Sequence, residues 1–358
     1  MNSIDHADKP HFSNHQHLFF ISSPLHLIGA QVLVATTLKG QCCRLFFLKK
    51  ELKEMIDAEG WESIDFLPWP RHFPVKGVFG RYRRTIRNAE LVTSRATEAN
   101  LITLYMPVID SEAYNYNIAI ARKITKGRQP DVCLIPDGLM NIRRHEQGRV
   151  RELSKIFRKL RRLITPSLNY YLFRGDRTGS DDPIVKRIYV FPDFPNEYSP
   201  EKTVDLDIVS SIKKSRRSDI NIDKALVLSQ PLTTTGELSD ANLVKTSQAI
   251  DNYLRDTGIK DVDYKPHPRD KKNELLRDWY KELKTSTPLE YYLFKNPYKV
   301  IIGVHSTTLL LMKLLDSSCE VISFYPDLLK YKNENQLEEN SKLFSQVGVE
   351  IKYFSEEV

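Results

Sequence analysis

Apolar and polar positions alternate along the chain in two kinds of run. Short, almost wholly apolar stretches are followed by longer stretches whose apolar residues recur at helical spacing. In the first half, the strand-like runs are His17–Ser22, Arg44–Leu48, Ser63–Leu67, Leu101–Pro107, Asp131–Pro136 and Ile188–Phe191. Helices are predicted between them over Leu25–Leu38, Arg84–Ala99 and Tyr114–Lys126. This alternation predicts a doubly wound α/β domain.

The same alternation restarts after a charged, proline-containing stretch. The predicted elements are strands Ala225–Ser229, Val262–Lys265, Val300–Gly303 and Val321–Phe324, and helices Ala241–Thr257, Pro288–Phe294 and Thr307–Leu315. We therefore predict a disordered tail (1–16), an N-terminal Rossmann-like domain (17–200), a linker (201–222) and a C-terminal Rossmann-like domain (223–358). Two such domains facing each other across a cleft form the GT-B plan, which glycosyltransferases share with nucleotide-sugar epimerases, so the fold leaves the function open.

Composition narrows the class of protein only slightly. Hydrophobic residues make up 41% and charged residues 28% of the 358 positions, as in ordinary globular proteins. The net charge of +7 favours an anionic partner without naming it. The four cysteines show no metal-ligand spacing, and no signal peptide or membrane-spanning run is evident. We expect a cytoplasmic protein, at most peripheral on the inner membrane. Nucleic acid is not expected as a partner, because no binding module is recognisable and the basic residues do not interleave with aromatic ones.

A histidine between two prolines follows the predicted strand Val262–Lys265. Open α/β sheets bind ligands at the carboxyl ends of their strands, and the prolines would present His267 on a stiff loop. Lys265 and Arg269 could help to hold a phosphate, and an imidazole with a pKa near ~6.5 can protonate or stabilise a leaving phosphate. The alternative is a loop histidine flanked by turn formers.

The segment Gly303–Thr308 joins a predicted strand to an apolar helix. Hydroxyl groups and free N–H groups at the positive end of a helix bind phosphate well. The alternative is that Ser306 or Thr307 is simply the N-cap, and the two roles are compatible.

Asp137 lies on a glycine turn directly after the predicted strand Asp131–Pro136. A carboxylate at that place could accept the proton of an acceptor hydroxyl. The alternative is a plain turn, which is the usual meaning of Asp-Gly after a strand.

Taken in order, these segments resemble motifs of the bacterial sialyltransferases and polysialyltransferases of GT-B fold. Those families share an acidic-Gly motif, a His-Pro motif and a Ser-Ser/Thr motif. The matching stretches are Pro136-Asp137-Gly138, His267-Pro268 and Ser306-Thr307. Pro288-Leu289-Glu290 is similar to a segment whose Glu contacts the nucleotide. With FFISSPLHLIGAQ near the N-terminus and LSQPL around Gln230, the resemblance spans most of residues 17–325.

The resemblance implies an inverting transferase that moves sialic acid, or a related nonulosonate, from a CMP-sugar to a glycan hydroxyl of a capsule, lipooligosaccharide or O-antigen. The N-terminal domain would be the acceptor side, with Asp137 as general base. The C-terminal domain would bind the nucleotide sugar, with His267 acting on the departing phosphate as acid or electrostatic stabiliser. The remaining nucleotide or phosphate ligands would be Lys265, Pro268, Glu290, His305, Ser306 and Thr307. The acceptor-side candidates are Ser23, Gly138 and Asn141.

The chain departs from the family pattern at one position. The families often have two acidic residues before the glycine, and the first is frequently credited as the base. Pro136 stands at that place. Either Asp137 takes over the role, or a different residue does.

We expect no cofactor and no metal. Loss of CMP from a 2-keto sugar acid requires a base and stabilisation of the leaving group, which side chains can supply. Two acidic pairs have the spacing of a metal motif. Asp205-Leu206-Asp207 falls in the predicted linker, and Asp261-Val262-Asp263 enters a predicted strand at its far end.

The segment Arg149–Thr165 predicts a basic amphipathic helix. Seven Lys and Arg residues accompany one acid, Glu152, and the apolar residues fall on one face. Such helices are typical of contact with anionic membrane surfaces. The alternatives are a basic lining for an anionic glycan or a helix packed by its apolar face with solvated charges.

Two other functions remain open on the sequence. One is a GT-B glycosyltransferase with another nucleotide-sugar donor, and the other is a nucleotide-sugar epimerase of the same architecture. An epimerase would need further acid and base groups at the sugar ring, which the sequence does not reveal.

Overall fold

The structure is a computed structural model of the full chain. It describes residues 14–137, 144, 147–192, 196–206, 223–267, 269–285, 289–316, 318–331 and 335–355. The described residues form two compact units. The N-terminal unit contains those up to Val190 together with Tyr198–Val204, and the C-terminal unit contains those from Asp205 onward together with 191–192 and 196–197. The predicted tail and linker lie largely outside the described residues.

The N-terminal unit is built on a seven-stranded sheet. Its strands are β1 (His15–Ile21), β2 (Cys42–Phe47), β3 (Ser63–Phe66), β4 (Leu101–Met106), β5 (Asp131–Leu134), β6 (Val185–Val190) and β7 (Thr203–Asp205). Its helices are α1 (Pro24–Ala35), α2 (Gly80–Arg95), α3 (Glu112–Ile124) and α4 (Arg149–Leu160), with 3-10 turns at Lys50–Met55 and Arg161–Leu163.

The C-terminal unit is built on a six-stranded sheet. Its strands are β8 (Lys224–Leu228), β9 (Asp261–Lys265), β10 (Lys281–Glu282), β11 (Val300–Gly303), β12 (Glu320–Phe324) and β13 (Glu350–Lys352). Its helices are α5 (Asp240–Asp256), α6 (Leu289–Lys295), α7 (Thr307–Leu315) and α8 (Gln336–Val347), with a 3-10 turn at Pro326–Leu328.

Both sheets have the strand order of the Rossmann fold. The first runs β3-β2-β1-β4-β5-β6-β7 and the second β10-β9-β8-β11-β12-β13. The pairs from β3 to β6, and all pairs of the second sheet, are parallel. Because crossovers between parallel strands are right-handed, helices that follow the two halves of each sheet cover opposite faces. The predicted α/β fold, with two Rossmann-like units, is confirmed.

Each unit has its own apolar core, which includes residues of its central strands. Phe20, Leu104 and Leu134 are fully buried in the first core, and Val227 and Ile302 are fully buried in the second. Continuous burial of the central strands is the reason that they appear in the sequence as unbroken apolar runs.

The structure corrects several element boundaries. The first strand begins at His15, inside the predicted tail. Val185–Val190 is not the last strand of its sheet, since β7 follows within the predicted linker. Likewise β12 does not close the second sheet, because α8 and β13 follow it. Short edge strands with an exposed side lack the apolar run that reveals a central strand.

Candidate functional site

Asp137 follows β5 at the carboxyl edge of the first sheet. Its Oδ1 lies 2.6 Å from Nε2 of His26, in the first turns of α1. The His26 side chain is 2% exposed and the Asp137 side chain 31% exposed. A buried imidazole thus holds a carboxylate that remains open to solvent. The sequence did not single out His26.

The hydrogen bonds of His26 fix its tautomer. The backbone N–H of Ser22 donates to Nδ1 at 3.2 Å, so Nδ1 carries a lone pair. A neutral imidazole has its proton on the other nitrogen. Nε2–H therefore donates to Asp137, which accepts as a carboxylate. The pair is a hydrogen bond from a neutral ring and not an ion pair.

Tyr114 of α3 extends this network. Its hydroxyl donates to Oγ of Ser22 at 2.6 Å. Burial raises the pKa of the Tyr114 phenol above its ordinary value, and the nearby Asp137 carboxylate acts in the same direction. The phenol therefore keeps its proton. Ser23, predicted on the acceptor side, caps α1, since its Oγ accepts from the N–H of His26 at 3.3 Å.

His267 lies on an exposed loop after β9. The N–H of Arg269 donates to its Nδ1 at 3.1 Å, and the N–H of Asp270 donates to its carbonyl at 2.8 Å. Nδ1 is therefore an acceptor in the neutral ring, and Nε2 carries the proton. Lys265 is half-buried at the end of β9, and its carbonyl accepts from the N–H of Ser229 at 3.0 Å.

Asp270 anchors this loop. Its Oδ2 accepts from the Ser229 hydroxyl, from the Tyr264 hydroxyl at 3.2 Å and from the N–H of Glu274 at 3.0 Å. Asp270 is buried, and several donors compensate the cost of burying its charge. The loop that carries His267 is thus fixed to the end of β8.

Gln230 fixes the second predicted phosphate element to the same place. Its Oε1 accepts from the N–H of His305 at 2.7 Å, and its Nε2 donates to the carbonyl of His305 at 2.5 Å. Strands β8 and β11 are neighbours at the point where the strand order of the sheet reverses. Ligands of open α/β sheets bind at such points. The adjacent residues Ser229 and Gln230 therefore tie the His267 loop and the Ser306 turn to one strand end.

The side chain of His305 is engaged within its own unit. Its Nε2 accepts from Nδ2 of Asn340 at 2.9 Å, and its ring stacks on Phe344. Burial lowers the pKa of His305, so the ring stays neutral near pH 7. Any direct contact of His305 with a phosphate would then lack a cationic charge.

Ser306 is the N-cap of α7. Its Oγ accepts from the N–H of Thr308 at 3.3 Å. This is the plainer of the two roles that the sequence left open, and the phosphate role stays a prediction.

Five predicted site residues lie partly or wholly outside the described part of the chain. Gly138, Asn141 and Pro268 are not described, and Glu290 and Thr307 are described in their backbone only. Glu290 lies at the start of α6 and Thr307 at the start of α7. Their roles stay predictions, as do those of the other predicted site residues.

The carboxylates of Asp261 and Asp263 form ion pairs with lysines, and Asp263 also accepts a hydrogen bond from a tyrosine. Lys224 Nζ lies 2.8 Å from Asp263, Lys281 Nζ lies 3.0 Å from Asp261, and the Tyr298 hydroxyl donates to Asp263 at 2.5 Å. The hydrogen bond from Lys281 lowers the pKa of Asp261. The described residues include no group of three His, Cys, Asp or Glu side chains arranged to hold a metal ion. Metal independence stays a prediction.

The basic helix packs on the protein by its basic face. Arg151 pairs with Asp110 at 2.7 Å, and Arg161 pairs with Glu112 at 2.5 Å. Lys155 is 5% exposed, and its Nζ lies 3.7 Å from the centre of the Phe173 ring. These basic side chains face the body of the unit and are not free for an anionic surface. The alternative of a helix packed by its apolar face is therefore wrong, because Asp110 and Glu112 draw these charges inward.

None of the helices in the described ranges is long and apolar enough to cross a membrane.

Comparison with known proteins bears on the class of enzyme. Residues 180–325, less than half of the chain, match the family model of the alpha-2,8-polysialyltransferases. This confirms the resemblance to bacterial polysialyltransferases over a segment that includes the His267 loop and the Ser306 turn. No curated protein matches the chain.

Several solved structures are similar in backbone. A putative UDP-N-acetylglucosamine 2-epimerase from Listeria monocytogenes has 8% identity and a TM-score of 0.49, covering 95% of this chain and 92% of that one. The E. coli heptosyltransferase WaaC with ADP has 13% identity and a TM-score of 0.45, covering 88% and 89%. Arabidopsis thaliana UGT89C1 has 8% identity and a TM-score of 0.45, covering 96% and 86%. The fold assignment rests on the strand order of each unit.

Proposed function

We propose that the protein is an inverting sialyltransferase. It would transfer sialic acid, or a related nonulosonate, from a CMP-activated donor to a hydroxyl group of a glycan. The observation that carries the proposal is the match of residues 180–325 to the polysialyltransferase family. The hydrogen-bonded carboxylate after β5 supports it from the other unit, because it supplies the single base that such a transfer requires.

Asp137 is the general base in this proposal. Oδ1 accepts from Nε2–H of His26, and the carboxylate, whose side chain is 31% exposed, takes the proton from the acceptor hydroxyl. His26 cannot itself accept this proton at Nε2, which already carries one. We therefore assign His26 as a positioning residue. The neighbouring Pro136 has no ionisable side chain, and Asp137 takes the role that the family often gives to the first acid of its motif.

The leaving CMP is handled by the C-terminal unit. His267 stabilises or protonates the departing phosphate, with Lys265 beside it. The N-terminus of α7, at Ser306 and Thr307, offers backbone N–H groups to the same phosphate. Glu290 contacts the ribose or the base, and Pro268 stiffens the loop. Gln230 and Asp270 contribute by holding these two segments at the end of β8.

The acceptor in this proposal is a surface glycan under construction, such as a capsule, lipooligosaccharide or O-antigen chain, linked to a lipid at the cytoplasmic face of the inner membrane. The reaction needs neither metal nor cofactor, because Asp137 and His267 supply the base and the leaving-group stabilisation.

A nucleotide screen separates this proposal from its rivals. Thermal unfolding of the protein is measured with CMP, UDP, GDP and ADP. A nucleotide at about 100 times its dissociation constant stabilises the folded state by about 2.7 kcal/mol. We expect CMP alone to raise the midpoint of unfolding, and mass spectrometry to detect sialylated product from a CMP-sialic acid and a soluble glycan. Stabilisation by UDP and not by CMP would favour a different donor or an epimerase.

A further inference from the structure

The outer face of α4 is an exposed apolar surface. The apolar residues from Val150 to Ile164 supply half of the large apolar side chains that are exposed in the described part of the chain. Phe157 is 70% exposed, Leu163 75% and Ile164 80%. Contiguous exposed apolar patches of this kind mark interaction sites, since water disfavours them on a free surface.

A second exposed apolar pair lies close to the C-terminal end of this surface. The Tyr82 hydroxyl of α2 hydrogen-bonds to the Thr165 hydroxyl, directly after Ile164. Val78 and Phe79 lie within one turn of Tyr82, and both are 76% exposed. Phe79 has a φ of 57°, a region that an aromatic residue rarely adopts. The backbone is therefore strained at the position that presents this side chain to solvent.

The exposed charges around this apolar surface indicate which kind of partner would bind it. Lys76, Arg81 and Arg162 are exposed and form no ion pair within the described ranges of the chain. The inward bases of α4 are instead satisfied by Asp110 and Glu112. A second copy of the chain would bring the same exposed cations against each other. Glu152 is the exposed acid of α4, so the exposed charge beside the apolar face is predominantly positive. An apolar face bordered by these cations is complementary to an anionic lipid surface, with acyl chains below a negative headgroup layer.

We propose that the Val150–Ile164 face and the Val78–Phe79 pair dock the protein on an anionic membrane by inserting apolar side chains. The exposed cations around them contact the headgroups. The inward cations of α4 hold the helix on the protein body. Docking on the membrane would bring the enzyme to its proposed lipid-linked acceptor, and this consequence rests on the proposed function. Docking itself is measured without any transfer reaction.

The test uses sedimentation of the full chain with vesicles of phosphatidylcholine, with or without phosphatidylglycerol. The main variant carries Phe157→Ser, Leu163→Ser and Ile164→Ser. Because these side chains are exposed, the fold should be unaffected, and the circular dichroism spectrum and melting midpoint should match the wild type. We expect at least a ~10-fold loss of partitioning onto phosphatidylglycerol vesicles, since interfacial binding scales with buried apolar area. The matched control is Val244→Ser, a 66% exposed valine on α5, which should bind like wild type.

Further measurements exclude other occupants. Phe157→Trp should show a blue shift of its fluorescence on phosphatidylglycerol vesicles and none with phosphatidylcholine alone. Equal sedimentation of wild type and the triple serine variant would overturn the proposal, as would binding of the wild type that high salt abolishes completely. A wild-type dimer that the serine variant converts to a monomer would identify a second copy as the occupant instead. The serine variant should keep its transfer rate on a soluble acceptor, so failed docking and failed transfer are separate results.

Discussion

The two hydrogen bonds of the His26 ring, from the Ser22 N–H and to Asp137, can be removed one at a time. Asn at position 26 can place its oxygen near the site of Nδ1 and accept from Ser22, but it has no donor at the reach of Nε2. Gln can place its amide nitrogen near the site of Nε2 and donate to Asp137, but it loses the acceptor for Ser22. His26→Asn and His26→Gln are therefore a matched pair that separates positioning of Asp137 from support of the backbone.

The expected magnitude follows from the 2.6 Å contact. A hydrogen bond to a charged group contributes roughly 1.5–3 kcal/mol. If the contact orients Asp137 in the transition state, His26→Asn should lower kcat by roughly 10- to 100-fold, because each 1.36 kcal/mol is a factor of ten. KM for the CMP donor should not change, since the donor is assigned to the other unit. His26→Gln should restore most of kcat while lowering the free energy of unfolding by about 1–3 kcal/mol, the cost of leaving the buried Ser22 N–H unsatisfied.

Steady-state kinetics with a CMP-sialic acid and a soluble acceptor, together with urea unfolding of each variant, tests this reasoning. A purely structural role of His26 predicts that activity follows stability. In that case the Gln variant would be at least as inactive as the Asn variant, and the positioning role would be refuted. Near-wild-type kcat in a folded His26→Asn protein would refute the assignment of the contact itself.

Four further predictions follow from the two units. Asp137→Asn should reduce transfer by roughly 10²–10⁴-fold with CMP binding unchanged, and a variant that keeps about a tenth of the rate would show that the base lies elsewhere. His267→Ala should lower turnover by roughly 10²-fold in a protein with a normal melting midpoint, and near-normal turnover would exclude the leaving-group role. Gln230→Ala should weaken CMP binding by roughly tenfold in calorimetry, because two hydrogen bonds of about 1 kcal/mol each hold the His305 turn. An unchanged affinity would show that this turn does not contact the nucleotide. Burial lowers the pKa of His17 to about 4, so below pH ~6.5 the unfolded chain binds more protons than the folded protein. The free energy of unfolding should therefore fall by up to about 3 kcal/mol as the pH drops from ~6.5 to ~4. His17→Gln should flatten this pH dependence in urea titrations, and equal slopes for the variant and the wild type would contradict the prediction.

The sequence predicted the central strands of both sheets because burial on both faces leaves an unbroken apolar run. It missed β13, which has three residues, one of them exposed, at a sheet edge. It also missed α8, in which only Leu343 and Phe344 are buried. Gly348 ends that helix at a φ of 87°, and a glycine at this place is a C-cap signal that could have revealed it.

The candidate site could be predicted only where local motifs mark it. Asp137, His267 and Ser306 stand directly after strands, and strand ends are readable from a single sequence. Their partners could not be found in this way. His26 lies 111 residues before Asp137, and Gln230 lies 75 residues before His305. Only the strand order brings these pairs together, and the sequence pattern does not contain the pairing of distant strands.

The sequence left the direction of the basic helix open for a related reason. An apolar stripe is normally the buried face of a surface helix, and a basic face is normally solvated. That rule fails when the surface beneath the helix is acidic. Asp110 lies between β4 and α3, and Glu112 is the first residue of α3. The two carboxylates pair with Arg151, Arg158 and Arg161. The amphipathic pattern therefore identified the apolar face and the basic face of the helix, but it did not indicate which of them points outward.

Two of the residues that position the proposed reacting groups are neutral, whereas Asp270, which anchors the His267 loop, is a carboxylate with several donors. His26 is uncharged by its tautomer, and Gln230 holds the His305 turn through an amide. A neutral hydrogen-bonding group costs less to bury than a charge, and it adds no repulsion or competing attraction near an anionic sugar nucleotide. In the proposed site, Lys265 and Arg269 beside His267 are the cations available to a substrate phosphate. Replacing a neutral anchor with a charged one should therefore disturb the electrostatics of the site as well as its geometry.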